Sequence, residues 1–238
     1  MKRKYIIAAA AVLCCLTACK NNSTETETTT AESISVSENT SAENQAAEDS
    51  VSESSKTAGS NILIAYFSVP ETAGVDASSG ASRIVIDGQI KGNIQFMAEA
   101  IAENVNGDLF RIETVQEYPG EHDKLIDFAA EELSDNARPE LSSHIENIDA
   151  YDTIFIGYPN WWADMPMPLY TFFDEYDFSG KTIIPFTSHG GSGFSGTINS
   201  IAEVEPNANV IKDGFSVPRN NTPDSAGDIA EWLSGLGY

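Results

Sequence analysis

The feature that most restricts the fold of this chain is a repeated alternation of two patterns from Asn61 onward. Short apolar runs stand at NILIAYF (61–67), DLFRIETV (108–115), YDTIFIGY (151–158), KTIIPFT (181–187) and ANVIKDGFSV (208–217). Runs of this length without strict polar alternation suit strands buried on both faces. Between them, Ile94, Met97, Ala98, Ile101, Ala102 and Val105 recur at the spacing that lines one face of a helix. Leu125, Ile126, Ala129 and Leu133 repeat that spacing, as do Ala226, Ile229, Ala230 and Leu233. Strands separated by helices pair in parallel, because parallel neighbours need crossover connections, and these cover both faces. The predicted architecture is α/β, a five-stranded doubly wound parallel sheet over residues 61–238, with no internal repeat.

In such a sheet ligands sit beyond the carboxyl ends of the strands, where successive connections leave for opposite faces. After the first strand, Ser68 is followed by a long departure before Gly92, Asn93, Ile94 and Gln95 open a helix. Within that departure RIVI and QIK flank Asp87 and Gly88, a hairpin signature. A helix opening presents unpaired N–H groups and a positive dipole end, which suit a phosphate. Gly92 lets the backbone approach closely, and Ser68, Asn93 and Gln95 carry side-chain donors.

The third strand leads into Pro159, Asn160, Trp161, Trp162, Ala163 and Asp164. Two adjacent indoles on a turn cannot both point inward, so one is available to stack on a flat conjugated ring; Trp162 is the preferred stacker and Trp161 the alternate. Pro166 and Pro168 then start a helix whose core face is Leu169, Phe172 and Phe173. After the fourth strand, Thr187, Ser188, His189, Gly190, Gly191, Ser192 and Gly193 form a glycine-rich loop whose amides suit the polar edge of that ring. A phosphate loop, an aromatic loop and an amide loop at one sheet edge describe a site for flavin mononucleotide (FMN).

The combination YFS, KGNIQ, GYPNWW and FTSHGGSG resembles the flavodoxin family, in the branch with a hairpin insert in its phosphate loop. The resemblance implies strand order 2-1-3-4-5 and a noncovalent FMN. It places the phosphate on Ser68 and Gly92, Asn93, Ile94 and Gln95, and the ring between the Pro159–Asp164 and Thr187–Gly193 loops. Ile94 stands where the family usually carries a hydroxyl residue. Asp164 and the acidic surface are expected to lower the potential of a bound flavin below that of free FMN.

Upstream, residues 1–19 read MKRKYIIAAAAVLCCLTAC, a basic start, an apolar stretch and small residues before a cysteine, as in a secretory leader. Its end, Leu16-Thr17-Ala18-Cys19, resembles a bacterial lipobox and implies acylation at Cys19. Residues 20–60, rich in Ser, Thr, Glu and Ala, form an acidic tether that buries too little surface to order itself. The expectation is an exported domain, lipid-anchored at the outer face of the cell membrane, with redox proteins or small electron donors and acceptors as partners.

Other chemistries are restricted by composition. All three cysteines, Cys14, Cys15 and Cys19, lie in the leader, which excludes a thiol enzyme. The domain holds 28 acidic against 8 basic residues within a chain of formal charge −23, which argues against nucleic acid and anionic lipid. No segment around HGGSG matches the G-x-S-x-G nucleophile elbow. His122, His144 and His189 lack metal-ligand spacing and read as surface residues, although His189 stands where it can reach the flavin edge. Two alternatives stay open: an FMN-dependent NAD(P)H reductase of quinones or other small acceptors, with Arg83 and Arg219 as the loose candidates for nucleotide phosphate, and a cofactor-free surface adaptor.

Overall fold

The computed structural model describes residues 61–70, 72, 83–86 and 88–238, so the leader, Cys19, the whole tether and Asp87 lie outside the described residues. The central sheet has strands β1 (Ile62–Phe67), β4 (Asp108–Ile112), β5 (Thr153–Pro159), β6 (Thr182–His189), β7 (Asn209–Val210) and β8 (Phe215–Pro218). Their order is β4-β1-β5-β6-β7, with β8 also on β6, and every pairing is parallel. Numbered by core position this is 2-1-3-4-5, with the fifth place shared by two short strands.

That sharing corrects the single strand expected over 208–217. The Ile211 N–H bonds the Ile183 carbonyl at 2.9 Å, so Ile183 turns its backbone toward the edge. Pro185, two residues on, turns the same way and has no N–H to offer. The ladder therefore fails opposite Pro185, and the edge is built from β7 on one side of the gap and β8 on the other.

Alternate residues of β1 enter opposite cores, as burial on both faces demands. Leu63, Ala65 and Phe67 join one cluster, and Ile64 and Tyr66 join the other. Helices α2 (His122–Ser134), α3 (Met167–Glu175) and α4 (Thr197–Val204) cover the first face through Leu125 and Ala129, through Leu169, Phe172 and Phe173, and through Ile201. Helices α1 (Asn93–Val105) and α5 (Ala226–Leu236) cover the second through Ile94, Met97, Ile101, Ile229 and Leu233. Each such side chain contributes roughly 1.5–3 kcal/mol on full burial.

The insert after β1 holds the expected hairpin, β2 (Arg83–Ile86) against β3 (Gln89–Gly92), antiparallel and turning at Gly88 with φ +77°. β3 runs directly into α1, with Gly92 as the residue before its first turn. The hairpin thus fixes where the α1 N-terminus lies. Among the described residues no helix is long and apolar enough to cross a membrane.

Candidate functional site

The carboxyl ends of β1, β5 and β6 lie side by side, and each carries one of the expected segments. Ser68 follows β1 and is 3% exposed; among the described residues its Oγ has no hydrogen-bond partner. A Cβ on Gly92 would lie 1.9 Å from that oxygen, so only glycine permits this approach. Asn93 is fully buried and donates its side-chain Nδ2 to Ser188 Oγ at 3.1 Å, while its Oδ1 has no partner among the described residues. Turning the amide over lets Oδ1 accept from the Ser188 hydroxyl and directs Nδ2 at an anion.

The N–H groups of Asn93, Ile94 and Gln95 belong to the first turn of α1 and have no partner within the helix. Ile94 puts its side chain into the core, leaving its backbone as the polar group there. Gln95 directs its amide along the helix to Glu99 Oε1 at 3.0 Å rather than toward Ser68.

The segment after β5 is a tight turn closed by Trp161 N–H on the Asp164 carbonyl (3.1 Å) and Asp164 N–H on the Trp161 carbonyl (3.0 Å). Its central residues, Trp162 and Ala163, have φ of +54° and +65°. Side chains in this left-handed region cost about 1–3 kcal/mol each, and such strain concentrates at functional positions. The turn separates the indoles. Trp161 is 7% exposed and packs edge-on to Phe67 at 5.8 Å, with Tyr118 at 6.0 Å. Trp162 is 55% exposed and is tethered by its indole N–H to the Ile126 carbonyl on α2 at 2.8 Å.

Asp164 does not face outward as a free charge: its Oδ1 accepts from Met165 N–H at 2.8 Å and from the Tyr170 hydroxyl at 2.9 Å. Pro159 is the last residue of β5, and Asn160 donates Nδ2 to the Gly193 carbonyl at 2.7 Å and to Ser195 Oγ at 3.1 Å. Asn160 thereby joins the turn to the glycine-rich loop.

Thr187, Ser188 and His189 are strand residues of β6, not loop residues, and all three are buried. Thr187 Oγ1 donates to the Tyr158 carbonyl at 2.7 Å. His189, read from sequence as a surface histidine, accepts the Gly191 N–H on Nδ1 at 2.9 Å. Burial holds its pKa below the ordinary histidine value, which keeps the ring neutral with its proton on Nε2. The loop proper begins at Gly190, and around Gly190, Gly191 and Gly193 the space where a Cβ would stand is open. Among the described residues no group of three His, Cys, Asp or Glu is placed to hold a metal.

Two residues escaped the sequence reading. Arg111, in β4 beside β1, donates from Nη2 to the Ser68 carbonyl at 3.1 Å. Tyr118 packs behind Trp161 and Phe67 and gives its hydroxyl to Glu132 at 2.9 Å. Both line a groove of about 310 Å³ that starts at Ser68. A base at the end of the strand flanking β1 was the one available clue.

A flavodoxin family model matches residues 82–235. The chain belongs to the flavodoxin family. Among solved structures this flavodoxin-family chain is similar to a candidate flavoprotein from Bacteroides eggerthii, at 28% identity and TM-score 0.58, over 74% of this chain and 98% of that one. It is similar to another from Bacteroides uniformis, at 28% identity and TM-score 0.57, over 73% and 97%. A flavoprotein from Lactobacillus acidophilus in complex with FMN is more distant, at 20% identity and TM-score 0.48, over 70% and 97%. Among curated proteins no match is found.

Proposed function

We propose that the domain binds FMN noncovalently and relays electrons between redox proteins or small-molecule donors and acceptors at the outer face of the cell membrane. The observation that carries this reading is the pair Ser68 Oγ and Asn93 Oδ1, buried without partners among the described residues at the opening of a 13-residue helix. Buried polar groups are nearly always satisfied; with the Asn93 amide turned over, its Nδ2 joins the Ser68 hydroxyl as a donor at a helix N-terminus, and this donor pair fits a ligand phosphate. Family membership supports a flavin as that ligand.

When bound, FMN supplies reversible one- or two-electron chemistry. The residues present fit it. Ser68, Gly92 and Asn93 would hold the phosphate, the exposed Trp162 offers a flat face, and the backbone of Gly190, Gly191 and Gly193 offers donors in open space. His189 keeps a proton on Nε2 at neutral pH beside that loop. The acidic surface disfavours added negative charge and so favours the oxidised cofactor. Export and acylation at Cys19 rest on the leader pattern, with residues 20–60 as a spacer.

An absorption spectrum of protein purified without added flavin, followed by calorimetry with FMN, tests the cofactor. A yellow protein, or a colourless one that takes up FMN stoichiometrically, supports the reading; a colourless protein that gives no heat overturns it. Mixing the loaded protein with NADPH separates carrier from reductase, since only a reductase bleaches rapidly. Labelling of cells with a fatty acid analogue, lost in Cys19→Ala, tests the anchor.

A further inference from the structure

We infer that the groove beside Ser68 is an adenylate subsite, so that the domain takes flavin adenine dinucleotide (FAD) and holds it more tightly than FMN, an inference that rests on the phosphate position proposed above. The parallel register sets Phe67 opposite Ile112, so the next residues, Ser68 and Glu113, stand side by side at the carboxyl rim of the sheet. In doubly wound sheets that bind dinucleotides, the pyrophosphate lies at the N-terminus of the first helix and a carboxylate about 20 residues on accepts a ribose hydroxyl. Glu113 stands at that distance beyond Asn93, the first residue of α1. The groove runs from Ser68 along the end of β4, which lies on the side of β1 away from β5 and β6. A phosphate at α1 thus has the proposed flavin loops on one side and the groove on the other.

The groove has the chemistry of a nucleotide site. Arg111 gives a guanidinium N–H to the Ser68 carbonyl at 3.1 Å, and Glu113 Oε1 stands 3.8 Å from its Nε, beyond hydrogen-bond reach. A second phosphate beside Ser68 therefore meets a cation with donors to spare. Glu113 has its backbone pinned on both sides, its N–H donating to Ser143 Oγ at 2.8 Å and its carbonyl accepting the Ser142 N–H at 2.8 Å. The carboxylate itself stays partly exposed, as an acceptor for hydroxyl groups, and Glu117 adds another on the same groove. Val69, Pro70 and Tyr118 supply an apolar wall for a purine base. Tyr118 is held in place by Phe67, edge-on at 5.5 Å, and by Glu132. The volume of about 310 Å³ falls at the lower end for small-molecule sites, which suits one nucleotide better than a whole dinucleotide. A free phosphate would use the arginine and meet two like charges; a nucleotide uses the arginine, the acceptors and the wall together.

The test is calorimetry of the full chain, freed of flavin, with FMN, FAD and ADP, repeated for Glu113→Gln and Arg111→Met. The expected result is FAD bound about tenfold or more tighter than FMN. Glu113→Gln keeps the shape of the side chain and removes the charged acceptor. It should lower FAD affinity about fivefold and change FMN affinity by less than about twofold. Arg111→Met keeps the apolar stem and should lower FAD affinity more than FMN affinity. FMN bound as tightly as FAD, or equal losses for both flavins in both variants, overturns the inference. So does ADP that binds the FMN-loaded chain as tightly as FAD binds the free one, since the groove then serves a separate nucleotide. Should the variants fail to fold, the ratio of FAD to FMN affinity in the unmodified chain still decides. An unmodified chain that binds neither flavin overturns the FMN reading itself.

Discussion

Asn93 donates its side-chain amide to the Ser188 hydroxyl at 3.1 Å, joining the first turn of α1 to the end of β6 across 95 residues of chain. Both residues are buried, so the bond fixes the opening of α1 against the sheet at the point where the phosphate is proposed to sit. Asn93→Ala leaves the Ser188 hydroxyl without this partner. The expected cost to the apoprotein is about 1–3 kcal/mol in urea unfolding, with a loss of FMN affinity of at least tenfold. A variant as stable as the parent shows that the bond carries no load.

The approach of Gly92 to Ser68 predicts a coupled pair. Gly92→Ala drives a methyl group to 1.9 Å from Ser68 Oγ and should destabilise the apoprotein by about 1–3 kcal/mol. Ser68→Ala removes that oxygen and leaves Ser68 Cβ at 3.1 Å, a contact that small shifts relieve. The double variant is therefore expected to be more stable than the sum of the two single losses implies, by at least about 0.5 kcal/mol. Simple additivity in denaturant titrations contradicts the geometry.

Neighbouring tryptophans should respond in opposite ways. Trp161→Ala empties a core position between Phe67 and Tyr118 and is expected to cost about 3–5 kcal/mol of stability. Trp162→Ala removes an exposed ring and one hydrogen bond to Ile126, at about 1 kcal/mol or less. Its effect falls on the ligand, with FMN affinity reduced about fivefold as stacking is lost and Trp162→Phe intermediate. Thermal melting and flavin titration of the same three proteins check both halves.

Acid and base act on Glu205 at the end of α4. Burial first, then repulsion from Asp177 and Asp174, lifts its carboxyl from the ordinary 4.5 to about 7 in the folded protein. The folded state therefore holds this proton where the unfolded chain has released it, and the stability it confers is lost as pH rises from about 4.5 through about 7. Glu205→Gln should melt roughly 1–3 °C above the parent at pH 8, a small gain because solvent screens this half-exposed group, and no higher at pH 4.5. An equal difference at both pH values would show that the carboxyl is not the cause.

Much of the fold was legible because each β1 residue has a core to enter. The uniform apolar run from Ile62 to Phe67 meant burial on both faces, and α1, α2, α3 and α5 announced themselves by stripes of several anchors. Helix α4 did not, since it sends Thr197 and Ile201 inward and two residues make no recognisable stripe. The split of the fifth strand was hidden because its cause, Pro185, lies in a different strand. At the site, types and positions were readable but directions were not. Nothing local shows that Gln95 turns to Glu99, that Asp164 turns to Tyr170, or that Arg111 reaches the Ser68 carbonyl.

The missing N–H of Pro185 has a consequence for how many copies of this protein can crowd together. A continuous fifth strand would present solvent with an unbroken row of donors and acceptors, a template on which a neighbouring chain could add itself. Cut into segments of two and four residues, the rim offers no stretch long enough to seed such stacking. One imino acid in an interior strand thus guards the border of the sheet against aggregation.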